Sequence, residues 1–484
     1  MEHDVSNAER IRGLAREAAD VRVFRHIALD GTERAFTWRE LDDRSSQLAG
    51  ALATRGLRSD DRLGLGVRNS PQFVFSVFAA WKLGAVPVPV RWDVPEWELT
   101  RLREVIEPRI YLDAGSLPWI DATADLAVPE LPDALSPHAN GICSSGSTGT
   151  PKVILQAKPS VFDSELTPMM EAWRPVPLPQ TILVLGPMYH ANGFSTLSNL
   201  LAGDHLVVME KFDAARAVDV IEHHRISTFT ATPTMLQRIA DLPGIDDRDL
   251  SSIEWILQGA APMPASLVHR WAALVGAERL VMAYGMTEGL GLTALRGDEW
   301  MTHQGSVGRG FRETELRILD HDGNDVPVGE IGEIYLRSPM YSGYLYLGGA
   351  PQLHRTADGF ETAGDLGYLD DDCYLYLVDR RVDMIITGGA NVFPAEVECA
   401  LIDHPQIADV VVIGVHDPEW GRRVHAIVAP ADPAMPPSPE EVVAYAKTRL
   451  APYKVPKTVE LVDEIPRSEA TKVNRGALVA ARGG

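Results

Sequence analysis

Short apolar runs separated by segments of helical periodicity recur along this chain, and that alternation constrains its fold more than any other feature. "RLGLGV", "VPVPV", "TILVLG", "HLVVME" and "STFTA" are strand-like: brief, rich in branched apolar residues and bounded by turn formers. Between them lie helix patterns such as "AARAVDVIEHHR". Strands that alternate with helices form mainly parallel α/β sheets, because each crossover needs a helix-length connection. One helix is predicted in detail. In "RAFTWRELDDRSSQLAGALATRGL", Thr37 and Glu40 have the spacing of a capping box, Leu41, Leu48 and Leu52 share a face, and Gly56 ends the helix.

From about Glu315 the rhythm changes to closely spaced strands and turns, "ELRILDHDGNDVPVGEIGEIYLRS", which predicts a small β-barrel or antiparallel sheet with "DGND" as a turn. After "YLYLVDRRVD" a further cycle of strands and helices begins. The expected architecture is α/β: a large N-terminal domain, residues 1–381, of mainly parallel sheets plus the small barrel, and a small mobile α+β C-terminal domain, residues 382–484. A chain of 484 residues exceeds what one core supports, since single cores stop growing near about 250–300 residues. "APADPAMPPSP" reads as a surface loop rather than an interdomain linker.

Charge and cysteine usage exclude several classes. With 45 Lys and Arg against 67 Asp and Glu, the formal charge of −22 repels nucleic acid and anionic lipid surfaces. Cys143, Cys373 and Cys399 are scattered singly, which suits neither a disulfide framework nor a zinc site and fits a reducing cytoplasm. The start, "MEHDVSNAER", is acidic where a secretory signal would be basic and then apolar. "FVFSVFAAW" is cut by Lys82, so it predicts a buried helix and no membrane insertion.

The segment "SSGSTGTPKV", Ser144 to Val153, is dominated by small, hydroxylated and turn-forming residues with a single cation. Such composition predicts a loop whose backbone N–H groups and hydroxyls can surround an anion. It is not a Walker phosphate loop: Gly146 and Gly149 are too close together, Lys152 follows a proline, and Val153 stands where a magnesium-binding hydroxyl is needed. On residues alone, an anion loop and a plain surface turn both remain open.

The same segment resembles the phosphate loop of the adenylate-forming (ANL) superfamily, which includes acyl-CoA ligases (acyl-CoA synthetases), peptide-synthetase adenylation domains and beetle luciferases. "PMYHANG", "QGAAPM", "YGMTE", "TAGDLGYLDDDCYLYLVDRRVDMIITGGANVFPAEVE", "LAPYKVP" and "PRSEATK" follow in the family's order and span essentially the whole chain. The resemblance implies two half-reactions. A carboxylate attacks the α-phosphate of ATP to give an acyl-adenylate and pyrophosphate; the thiol of CoA then attacks the mixed anhydride and AMP leaves.

It also implies roles for individual residues. Ser144, Ser147, Thr148 and Gly149, with Lys152 as a supporting cation, would hold the β- and γ-phosphates. Glu288 would ligate Mg²⁺ and Thr287 would bond the α-phosphate. Tyr284 and the backbone of Gly259, Ala260 and Ala261 would enclose adenine; Asp365 would accept both ribose hydroxyls and Arg380 would add a ribose contact. Lys472 would bridge the substrate carboxylate and α-phosphate, and His190 would gate the acyl pocket, with a core histidine as the competing reading. Asp383 sits where the family bends, so the C-terminal domain would swing there, withdrawing Lys472 and presenting Gly388 and Gly389 to the pantetheine arm of CoA. The pair His223 and His224 has no metal-ligand spacing and reads as surface. "DVVVIGV" reads first as core strand and second as a homodimer surface.

Peptide-synthetase domains usually carry Phe-Asp where this chain has "MYHANG"; that disfavours an amino-acid substrate and points to a CoA ligase. The small residues of "HANG", "GAA" and "EGLGLT" imply space for a bulky carboxylic acid, aryl or polycyclic. Two departures from the family pattern matter. Val153 follows Lys152 where glycine is usual, and Thr471 precedes Lys472 where glycine is usual. A β-branched residue resists positive φ, so impaired adenylation is a second expectation: an enzyme specialised for thioester formation from a preformed acyl-adenylate. A non-enzymatic adenylate-binding protein is the alternative of another class.

Overall fold

A computed structural model describes residues 5–144, 152–339, 343–349, 352–380, 383–387, 390–418, 420–467 and 473–482, with the backbone alone at 144, 379, 380 and 391. The predicted strands are present at Arg62–Gly66, Val86–Pro89, Thr181–Val184, His205–Met209 and Thr228–Ala231. The helix Trp38–Thr54 carries the full capping box, with Thr37 bonded to the Glu40 backbone N–H and Glu40 bonded back. Leu41, Leu48 and Leu52 are fully buried, and Gly56 follows with φ +91°.

A nine-stranded sheet organises the larger part of the chain, with strand order 309–310, 292–296, 280–285, 255–258, 228–231, 181–184, 205–209, 22–27 and 33–37. Its six central strands run parallel and its outer ones antiparallel. A second, parallel sheet pairs Arg62–Gly66 with Val86–Pro89 and Ile110–Asp113. The helix Pro71–Lys82, containing "FVFSVFAAW", is buried at every position. Even its Lys82 is enclosed, donating to Asp42 Oδ1 and to the hydroxyls of Ser45 and Ser46. Among the described residues no helix is long and apolar enough to cross a membrane.

The change of rhythm near Glu315 corresponds to a four-stranded antiparallel sheet of Glu315–Leu319, Gly332–Arg337, Asp365–Leu369 and Leu375–Arg380. Beside it, Gly141–Ser144, Lys152–Gln156 and Tyr344–Leu347 form a three-stranded antiparallel sheet. The C-terminal part has its own sheet, with Ile385–Thr387, Ala390–Val392, Ile407–Asp417, Gly421–Pro430 and Thr458–Leu461, and its own core around Val397, Val412, Ala426 and Val428. The "DVVVIGV" residues Val411, Val412 and Ile413 are buried in that unit, which fits the core-strand reading. Residue 382, the expected domain boundary, lies outside the described residues.

Candidate active site

Three parallel strands of the large sheet, two of them adjacent and the third separated from these by Thr228–Ala231, end at one edge, and predicted site residues follow from those ends. Thr181–Val184 leads to His190, Trp255–Gln258 to Gly259, Ala260 and Ala261, and Leu280–Gly285 to Thr287 and Glu288. Loops beyond the carboxyl ends of parallel strands are where α/β sheets bind ligands, because there the backbone leaves the ladder and side chains project clear of it. Gln258 shapes its loop, its amide donating to the carbonyls of Gly259 and, at 2.6 Å, Ala261. Ala260 adopts φ +71°, a left-handed conformation that exposes the turn's backbone.

The first cluster joins two sheets. The Tyr284 hydroxyl, at the end of its strand, donates to Asp365 Oδ2 at 2.7 Å. Asp365 opens a strand of the antiparallel sheet, is 7% exposed, and lies directly across from Arg380 in register. Gly364, with φ +83°, makes the turn that delivers it. The adenine-side and ribose-side residues implied by the resemblance are therefore neighbours.

The second cluster holds Glu288. Its Oε1 accepts from the Tyr346 hydroxyl at 2.7 Å, and the ammonium of Lys152 stands 5.1 Å from the centre of the Tyr346 ring. Burial, and then the Glu288 carboxylate, push the Tyr346 pKa well above the usual tyrosine range, so this hydroxyl stays protonated and donates. Tyr344, two residues earlier on the same face and 4.9 Å away between rings, is pushed up to about 12, chiefly by burial. Thr287 is half-buried beside Glu288. Among the described residues no three of His, Cys, Asp and Glu gather as a metal cage. One carboxylate beside Lys152 is a donor set that suits Mg²⁺, which takes one or two carboxylates and completes its shell with oxygens of a bound phosphate and water.

His190 is half-buried, packed 4.6 Å from the Tyr189 ring, and caps the short helix Ala191–Phe194. Its loop is held by Asn69. The Asn69 amide donates to the carbonyls of Gly186 and Met209, and its oxygen accepts from the Met188 backbone N–H at 2.7 Å. His26, kept neutral by burial, donates to the Asn69 carbonyl. Sequence reasoning missed Asn69, Tyr346 and the tethering role of Gln258. Asn69 lies in an unremarkable strand-to-helix turn; for Tyr346, the two-residue spacing with Tyr344 in "GYLYL" was the available signal.

Ser147, Thr148, Gly149, Gly388, Gly389 and Lys472 lie outside the described residues, as does Thr471. Ser144 and Lys152 are opposite each other, so residues 145–151 join two antiparallel strands rather than a strand and a helix, as a Walker loop would. Asp383 lies in a turn just before Ile385–Thr387. His223 is exposed, as the surface reading expected, whereas the His224 side chain is only 9% exposed and bonds Glu33.

Two expectations need correction. Val153 is a buried strand residue, 0% exposed and paired with Cys143 and Leu347, with no positive φ, so the steric argument for impaired adenylation does not hold at this position. Two glycines of the small-residue motifs, Gly193 and Gly291, are also fixed by packing rather than by pocket space, whereas a Cβ at Gly259 would make only ordinary contact, 3.6 Å from the Ala283 carbonyl oxygen. A Cβ at Gly193 would lie 2.3 Å from the Pro187 carbonyl oxygen, and one at Gly291 would lie 2.6 Å from the Thr314 methyl. Close backbone and side-chain packing requires them.

A family model described as "AMP-binding enzyme" matches residues 15–345, and one described as "AMP-binding enzyme C-terminal domain" matches residues 396–472. The chain belongs to the AMP-binding enzymes, the adenylate-forming superfamily its motifs resemble. It is 35% identical to a feruloyl-CoA synthase of Amycolatopsis over 91% of this chain and 93% of that one. It is 32% identical to a 2-succinylbenzoate–CoA ligase of Bacillus velezensis, over 95% and 96%. Among solved structures, an o-succinylbenzoate CoA synthetase from Bacillus subtilis, in complex with its acyl-adenylate intermediate, superposes with a TM-score of 0.84 at 26% identity, covering 98% of both chains. Within the family, this chain is an acid–thiol ligase of the acyl-CoA synthetase type.

Proposed function

We propose that this enzyme converts a bulky carboxylic acid, aryl or polycyclic, into its CoA thioester through an acyl-adenylate, carrying out both half-reactions. The observation that carries this reading is the gathering of Tyr284 with Asp365, and of Glu288 with Tyr346 and Lys152, where the end of the parallel strand Leu280–Gly285 meets strands of the two antiparallel sheets. Similar proteins are named for acids with a ring, feruloyl, 2-succinylbenzoate and a methyl-dioxo-octahydroindenyl propanoate, and also for fatty acids, including long-chain ones. The ring-bearing acids, which include those of the two relatives at 35% and 32% identity, support the substrate class.

In the first half-reaction Asp365 accepts the ribose hydroxyls, Tyr284 covers the base, and Lys152 with the hydroxyls of Ser144, Ser147 and Thr148 neutralises the outgoing pyrophosphate. Glu288 would hold Mg²⁺, which would supply further charge neutralisation. Thr287 contacts the α-phosphate, and Lys472, brought in by the C-terminal domain, orients the attacking carboxylate. Rotation about Asp383 then withdraws Lys472 and presents the face of Gly388 and Gly389, past which the CoA thiol reaches the anhydride. His190 opens or closes that path.

The test is a panel of carboxylic acids incubated with ATP and CoA and read by mass spectrometry, alongside ATP–pyrophosphate exchange. Thioesters of fused-ring and aryl acids, with exchange supported by the same acids, are expected. Equal turnover of acetate overturns the substrate class; absent exchange with robust CoA consumption from synthetic acyl-adenylates overturns the claim to both halves.

A further inference from the structure

We propose that Tyr346 is the positioning residue for the Glu288 carboxylate, locking it to the strand that carries Lys152 so that the metal ligand and this cation keep a fixed relation. This rests on the reading of Glu288 as the Mg²⁺ ligand. Glu288 lies in a turn just past the end of its strand, where the local backbone bond among the described residues is from the Gly289 N–H to the Met286 carbonyl. Its side chain therefore depends on a partner from elsewhere. Tyr346 supplies it: 9% exposed, it donates to Oε1, and the other carboxylate oxygen accepts no hydrogen bond among the described residues. A single donor on one oxygen sets the plane of the carboxylate and leaves the second oxygen for a cation.

The opposite side of the coupling is the strand pairing. Tyr344–Leu347 runs antiparallel to Lys152–Gln156, with Tyr346 opposite Ile154 and Leu347 opposite Val153. The Tyr346 ring then offers its face to the Lys152 ammonium at 5.1 Å, inside cation–π range. One side chain thus touches a group that would hold the metal and a group that would hold the phosphates, through two different parts of itself. A phenylalanine would keep the ring contact and lose the hydroxyl; a leucine would lose both.

The experiment uses the full chain and measures binding rather than turnover. ATP affinity is titrated against Mg²⁺ concentration for the parent, Tyr346→Phe, Tyr346→Leu and Glu288→Gln, and AMP affinity is measured in EDTA. Loss of an outer partner of a metal ligand typically costs 10–100-fold in metal affinity. Tyr346→Phe is therefore expected to raise the Mg²⁺ concentration for half-maximal ATP binding about ten-fold, with AMP affinity within about two-fold of the parent. Tyr346→Leu should additionally weaken ATP binding in EDTA. If Glu288→Gln shifts the Mg²⁺ dependence and Tyr346→Phe does not, the positioning role is overturned while the metal ligand stands. If Glu288→Gln shifts nothing, the reading of Glu288 fails. Parallel loss of AMP and ATP binding in Tyr346→Phe, with a fall in Tm, makes Tyr346 merely structural and also overturns the proposal.

Discussion

Replacing Asn69 with leucine tests whether the His190 loop is held by one buried amide. The side chain is 5% exposed and makes hydrogen bonds to Gly186, Met209 and Met188. Leucine fills a similar volume but leaves two carbonyls and one N–H without that partner. An unsatisfied buried polar group costs about 1–3 kcal/mol, and local relaxation recovers some of it, so a loss of about 3–5 kcal/mol is expected. In a domain of this size that corresponds to a fall in Tm of roughly 5–10 °C. Equilibrium unfolding in urea gives the free energy, and steady-state kinetics with the acid identified by the panel gives the functional effect. Because the loop carries His190, KM for the acid should rise while AMP affinity stays near that of the parent. Asn69→Asp sharpens the test: it keeps the acceptor for Met188 but sets a carboxylate oxygen against two carbonyls, and should be at least as damaging. A leucine variant within about 1 kcal/mol of the parent, with unchanged KM, would refute the reasoning.

Val153→Gly should destabilise by about 2–3 kcal/mol, from lost burial and added backbone freedom, without raising ATP–pyrophosphate exchange; a rise in exchange would restore the steric argument. Asp365→Ala should weaken AMP binding by about 10–100-fold, the scale of losing hydrogen bonds to a charged acceptor, and leave Tm within a few degrees, as read by isothermal titration and thermal melts. Gly193→Ala should lower both Tm and activity, since the new methyl would meet the Pro187 carbonyl at 2.3 Å; an active variant of parental Tm would contradict the packing account. Lys82 carries a pH signature, because burial lowers its pKa from 10.5 to about 8, so the unfolded chain binds more protons between those values. Its contribution to stability therefore rises as pH increases through that window, by about 1–2 kcal/mol between pH 7.5 and 9.5, and the difference in urea midpoint between the parent and Lys82→Met should show this slope.

Much of the architecture is legible locally. Helix Trp38–Thr54 follows from a capping box and one apolar face, each set by residues within a turn or two. The parallel strands follow from short apolar runs between helix patterns, and the core role of "DVVVIGV" from its unbroken apolar character. The order of the motifs along the chain carried the family resemblance and, with it, Tyr284, Glu288 and Asp365. Local reading failed where a residue's reason lies across the fold. Val153 looks strained beside Lys152 until Cys143 and Leu347 flank it as a strand, and Gly193 looks like pocket space until the Pro187 carbonyl is seen against it.

The amino-acid order by itself determined the α/β class, the individual helices and strands, and the candidates for nucleotide chemistry, because periodicity, capping and turn chemistry act between near neighbours. Only the tertiary structure decided that Tyr284 meets Asp365 across 81 residues, Tyr346 meets Glu288 across 58, and Asn69 holds Met188 across 119. Those bonds depend on strand order and on which loops leave the sheet at the same edge. Hydrogen bonds reach about 3 Å, and nothing in a linear sequence states which distant donors and acceptors the sheet will bring that close.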